Sequence, residues 1–113
     1  MEVIAVAKHI PQSPKKIRVV AKAVTDLSPQ EAIASLEHVK KRAAQPLRKV
    51  IQSALANAEN NHDLNPANME IKEIQVGDSR TRRQPEFRAR GRLNWRLNRS
   101  SHIRVVLQER EDK

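Results

Sequence analysis

Residues 80–104 read RTRRQPEFRARGRLNWRLNRSSHIR: nine arginines, no lysine, one acid (Glu86), and only Phe87, Leu93, Leu97 and Ile103 as large hydrocarbon side chains. Such a stretch cannot bury itself, because nine cations would lose their hydration for almost no apolar gain. Strand-like segments nevertheless stand on both sides of it. MEIKEIQV (69–76) precedes it, and IRVVL (103–107) follows with period-two alternation of Ile103, Val105 and Leu107. A free basic tail has no need of a strand at its far end. If the two segments pair, the residues between them form a long hairpin with its tip near Arg90. Sixteen residues separate Ile74 from that tip, roughly 50 Å at about 3.3 Å per residue. A compact domain of this length has a radius of gyration of only about 13 Å. The hairpin must therefore project, and it needs an external surface of negative charge.

The charge distribution agrees. Of the formal net charge of +9, residues 1–79 carry eleven basic and nine acidic side chains, whereas residues 80–104 carry nine and one. The excess is local and points to a polyanion. In residues 1–79 lysine outnumbers arginine eight to three, so the arginines of the later stretch reflect a choice. A guanidinium grips phosphate with a planar fork and stacks on bases. Trp95 and Phe87 offer stacking surfaces for unpaired bases, which RNA supplies. Arg80, Arg82, Arg83, Arg88, Arg90, Arg92, Arg96 and Arg99 are the expected phosphate contacts.

The remainder reads as a small aliphatic body. VIAVAKHI (3–10) is strand-like and stops at Pro11. Ser13-Pro14 and Ser28-Pro29 both start helices, the second with Glu31 completing a capping box. Ile17, Val20, Ala21 and Val24 form one helical face; Ile33, Leu36 and Val39 form another. In the third helix Leu47, Val50, Ile51, Ala54, Leu55 and Ala58 recur at helical spacing, with Asn60 and Asn61 as expected left-handed terminators. In MEIKEIQV the apolar phase slips between Ile71 and Ile74, which predicts a β-bulge. Gly91 is the expected positive-φ turn residue. The fold class is α+β: a three-stranded antiparallel sheet packed with three helices, plus a long projecting β-hairpin. One domain is expected over residues 1–113, with residues 77–102 as the extended basic hairpin.

The stretch TRRQPEFRARGRLNWRLNRSSHIRVVL resembles the signature of the family of the twenty-second protein of the large ribosomal subunit. Arg83, the run Arg88-Ala89-Arg90-Gly91-Arg92, and the run from His102 to Leu107 fall at the family's spacing. SPKKIRVVA (13–21) and KRAAQPLRKVIQSALANAENN (41–61) are similar to two further family segments, so the likeness covers nearly the whole chain. The chain departs at Phe87, where the family usually has proline, and at GDSR (77–80), where Gly-Pro is often found. The resemblance implies a structural ribosomal protein that binds large-subunit ribosomal RNA early in assembly, beside neighbouring large-subunit proteins. It implies that Gln84, Pro85, Glu86, Phe87, Arg88, Ala89, Arg90, Gly91 and Arg92 line the peptide exit tunnel next to the nascent polypeptide. It also implies RNA contact by Lys15, Lys16 and Arg18 at a helix N-terminus.

Other classes fit less well. With no cysteine and only two glycines, neither a cysteine-ligated metal site nor a phosphate-cradling loop is expected. His9, His38 and His62 share no metal spacing, and His102 reads as a hairpin residue rather than a ligand. The His62–Asp63 neighbours lack a nucleophile, so no enzyme, metal or cofactor is expected. Ser53, Asn57, Asn60 and Asn61 are open to RNA contact or to a purely helical role. No apolar run approaches membrane-spanning length, and MEVIAVAKHIPQ lacks signal-peptide features, so a cytoplasmic, ribosomal location without membrane contact is expected. The rival reading is a free-standing RNA-binding regulator with an arginine-rich arm. It predicts a compact sequence-reading element, which this chain does not show.

Overall fold

Both Ser-Pro steps start helices. A computed structural model of the chain describes residues 2–79, 82–87, 89–91 and 93–109. In it α1 (Pro14–Val24) and α2 (Pro29–Glu37) each begin on the proline, where no backbone donor is missed. Ser28 caps α2 by accepting the Glu31 N–H at 3.3 Å. Ser13 holds the same position before α1 but makes no side-chain cap. The buried face of α1 is the expected one, Ile17, Val20, Ala21 and Val24. α3 (Ala44–His62) buries Leu47, Val50, Ile51, Ala54 and Ala58.

α3 runs past its expected end. Asn60 and Asn61 are still helical, and the left-handed residue is Asp63, at φ 52°. The N–H groups of Asp63 and Leu64 both return to the Ala58 carbonyl, and Leu64 packs against the core. That apolar contact fixes where the helix stops. Asn61 donates instead to Asn57 Oδ1 at 3.4 Å, and Asn57 Nδ2 donates to the Ile4 carbonyl of the first strand at 3.4 Å. These asparagines tie a helix to a sheet edge.

The strands in chain order are β1 (Glu2–Ile10), β2 (Met69–Asp78), β3 (Arg82–Phe87), β4 (Leu93–Asn98) and β5 (Ser101–Glu109). β1, β5 and β2 form an antiparallel sheet in that order, and β3 with β4 forms a second, two-stranded one. α3 lies across β1 and β5, and α1 packs on β2. Val3, Ala5, Met69, Ile71, Ile103, Val105 and Leu107 meet the helical faces in one core.

The expected bulge is present. Ile71 pairs with Leu107 and Glu73 with Val106, leaving Lys72 as the extra residue. Ile71 and Ile74 can then both reach the core. Lys72 reaches across β5 to pair with Glu2, while Arg104 Nη1 lies 3.7 Å from Glu73 Oε1. The hydrogen bond and the opposite charge of Lys72 hold the Glu2 carboxyl below its ordinary range; the same contact raises Lys72.

At the far end of this sheet the chain leaves the body. Ser101, fully buried, donates its hydroxyl to the Gln12 carbonyl at 2.6 Å. Gln12 Nε2 donates to the Arg42 carbonyl at 2.9 Å. His9 takes a left-handed conformation (φ 60°) at the irregularity between Ala7 and Ile10. Its N–H donates to His102 Nδ1 at 3.2 Å, and its own Nδ1 sits 3.0 Å from Ser79 Oγ. The histidine rings meet edge-on, 5.0 Å between centroids. His102 is thus a hydrogen-bonding hairpin residue, as expected. These contacts bind the start of α1, the start of α3 and the root of the hairpin into one joint.

Leu47 is fully buried, so Leu47→Ala is expected to lower stability by about 2–5 kcal/mol in chemical denaturation. Ser101→Ala removes the donor to the half-buried Gln12 carbonyl, an expected loss of about 0.5–1.5 kcal/mol by the same measurement. The Glu2–Lys72 pair contributes fully above the usual carboxylate pKa and fades as pH falls through the lowered Glu2 value. At high pH it fades as pH rises through the raised Lys72 value. Both groups are exposed, so the contribution is small. Glu2→Gln is expected to flatten the acid limb of a melting-temperature–pH curve slightly.

Candidate nucleic-acid interface

Beyond the joint the hairpin ladder continues. Asp78 pairs with Ser101, and the Ser79 N–H donates to the Ser100 carbonyl at 3.0 Å. β3 and β4 then pair from Arg82–Asn98 to Phe87–Leu93. Between the Asp78–Ser101 and Arg82–Asn98 pairs the outgoing strand advances four residues and the returning strand three. The two ladders are therefore one residue out of register with each other. The tip is a short 3-10 turn, Ala89–Gly91, with Arg90 at φ 64° and Gly91 at φ 72°. Gly91 fills the left-handed position expected of it; Arg90 does the same with a side chain and is exposed.

The molecule measures 68 × 25 × 19 Å, with a radius of gyration of 17.2 Å. A globular chain of this length would have about 13 Å. The long axis is what a body with a projecting arm requires.

Strand register sorts the arm's positions. Cross-strand partners share a face, and faces alternate along each strand. Positions 82, 84 and 86 pair with 98, 96 and 94. Positions 83, 85 and 87 pair with 97, 95 and 93.

The expected site residues fall into three groups. Arg82, Arg83, Gln84, Pro85, Glu86 and Phe87 lie on β3 and Arg96 on β4, with Ala89, Arg90 and Gly91 at the turn between them. Arg99 is exposed between β4 and β5. Arg80, Arg88 and Arg92 lie outside the described residues. Lys15 and Lys16 are exposed in the first turn of α1, beside the joint. Arg18 is exposed too, but Nε and Nη2 donate to the Val76 carbonyl at 3.2 and 2.8 Å. Its guanidinium is partly spent on fastening α1 to β2. Among the described residues no group of three or more His, Cys, Asp or Glu side chains could hold a metal ion, and no helix is long and apolar enough to cross a membrane.

One group went unnoticed in the sequence. Lys40, Lys41 and Arg42, between α2 and α3, are exposed, as is Lys49 one turn into α3. The Gln12–Arg42 hydrogen bond draws this loop to the root of the hairpin. The KKR run was itself a signal, but its position beside the arm depends on a contact between residues thirty apart.

Residues 5–108 match the family model described as ribosomal protein L22p/L17e. The chain is similar to large ribosomal subunit protein uL22 of Carboxydothermus hydrogenoformans, 41% identical over 113 residues and 99% of each chain. Its likeness to uL22 of Syntrophomonas wolfei is 42% over 113 residues, the whole of both chains. Against uL22 of Akkermansia muciniphila it is 41% over 111 residues, 98% of this chain and 99% of the other. The chain belongs to the ribosomal protein L22p/L17e family, and it is a structural protein of the large ribosomal subunit, not an enzyme.

Proposed function

We propose that the chain binds large-subunit ribosomal RNA early in subunit assembly, and that residues 77–102 work as one extended basic hairpin. In this reading its end, Gln84 to Arg92, lines the peptide exit tunnel beside the nascent polypeptide. The body docks on the RNA among neighbouring large-subunit proteins, with Lys15, Lys16 and Arg18 at the near end of α1 as contacts.

The observation that supports this most is the pairing of shape with charge. A 68 Å molecule carries its surplus cations on the part farthest from its own core. Such an arm gains little by folding back. It gains much where RNA segments crowd together and condensed counterions can be released. Arg82 on β3 and Arg96 on β4 suit phosphate. Phe87 and Trp95, as stacking residues, suit unpaired bases or an apolar nascent segment. The arm is a two-stranded ladder closed by the turn at Arg90 and Gly91, a width suited to insertion between RNA segments.

The test is salt-dependent binding to bacterial large-subunit ribosomal RNA by the full chain and by a chain lacking residues 83–98. The deletion removes Arg83, Arg88, Arg90, Arg92 and Arg96 and leaves Ser79 and Ser100 to close a short turn. If all five grip phosphates, the slope of log K against log salt is expected to fall by about 3.5 to 4.5. An unchanged slope would assign RNA binding to the body alone and overturn the proposed role of the arm.

A further inference from the structure

Among the described residues, several cations are already engaged within the fold. Arg18 serves the Val76 carbonyl, Arg48 lies 3.6 Å from Glu37, Lys72 meets Glu2 and Arg104 meets Glu73. Arg42 and Lys49 are not: neither side chain makes a hydrogen bond or ion pair with the described residues. Both line a groove of about 380 Å³ between β1, an edge strand, and the first turns of α3. The groove is lined by no acid. Pro11 and Pro46 give it apolar surface, and Gln12 and Gln45 bring amides to it.

A cleft on the other side of the same loop makes a useful contrast. It is also basic, but Glu37 lines it and holds Arg48. An anion there would meet a carboxylate. In the first groove nothing opposes one.

We propose that the groove between β1 and α3 is a second RNA-binding site, separate from the arm, that takes one unpaired nucleotide. Arg42 and Lys49 hold its phosphate, and the base lies against Pro11 and Pro46 with its edge toward the amides of Gln12 and Gln45. The volume is on the scale of a single nucleotide. The combination of cations, flat apolar surface and amides fits a splayed-out base better than a duplex, whose base edges are paired. The site rests on the reading of this chain as an RNA-binding protein. It also adds to that reading: through the Gln12–Arg42 bond the groove shares a joint with the hairpin root, so its nucleotide would fix the direction in which the arm leaves the body.

The experiment compares the full chain, the Arg42→Ala/Lys49→Ala double variant and the chain lacking residues 83–98, each on bacterial large-subunit ribosomal RNA. Both substituted side chains are exposed, so the double variant is expected to melt like the parent. Its salt slope is expected to fall by about 1.4 to 1.8, the share of two phosphate contacts. Benzoylphenylalanine placed at position 45 of the full chain is expected to cross-link to an unpaired nucleotide in the complex. A slope unchanged in the double variant but reduced by the deletion would overturn the groove and leave the arm's role standing. No change in either would overturn both. A cross-link from position 45 to a duplex, or to a neighbouring protein in assembled subunits, would overturn the nucleotide assignment.

Discussion

Strand β5 is the member on which everything else depends. β1 and β2 are not neighbours in the sheet; the backbone ladder of each is made with β5. Ile103, Val105, Val106 and Leu107 are all buried to within 1% exposure, and each such side chain contributes about 1.5–3 kcal/mol. Val106 is buried without joining the main core. It lies between Ile4 and Glu73 in register, sheltered on the face away from the helices. A central strand so deeply buried can anchor the arm that leads into it.

The arm is built as an extension of that sheet rather than as a loop hung from it. β2 hands over to β3 and β4 hands back to β5, with only a one-residue change of register between the two ladders. At the handover the body supplies unusual support: a buried serine, a left-handed histidine and two backbone carbonyls taken up by side chains. Each is a local departure from regular structure. All of them gather where direction must be set. An error of a few degrees at the joint grows to several ångströms at the tip of a 68 Å molecule.

Much of this was legible in the sequence, for identifiable reasons. Helix faces repeat every three or four residues, Ser-Pro steps mark helix starts, and the slip between Ile71 and Ile74 announces a bulge; all are local signals. The errors and omissions have one cause. Asp63 terminates α3 because Leu64 finds the core, not because of its own preference over Asn60 or Asn61. His9 turns left-handed against partners seventy and ninety-three residues away. Arg18 looks like a free cation until β2 presents the Val76 carbonyl. The ladder of β3 with β4 joins residues up to sixteen positions apart. Information carried by long-range partners cannot be read from a single stretch of chain.

The position of β5 in the order of synthesis has a consequence for how the molecule comes into being. It follows the arm, so β1 and β2 are made first and must wait, each with an unsatisfied edge, until some twenty further residues have been added, residues 79 to 100. Contacts of such sequence separation form slowly and late. The helices can condense meanwhile, since α2 and α3 pack directly on one another. The sheet can close only after the whole arginine arm has been made. The segment that most needs an outside surface is thus finished before the body that aims it, and a nascent chain halted within the arm would have three helices and two strands with no strand to join them.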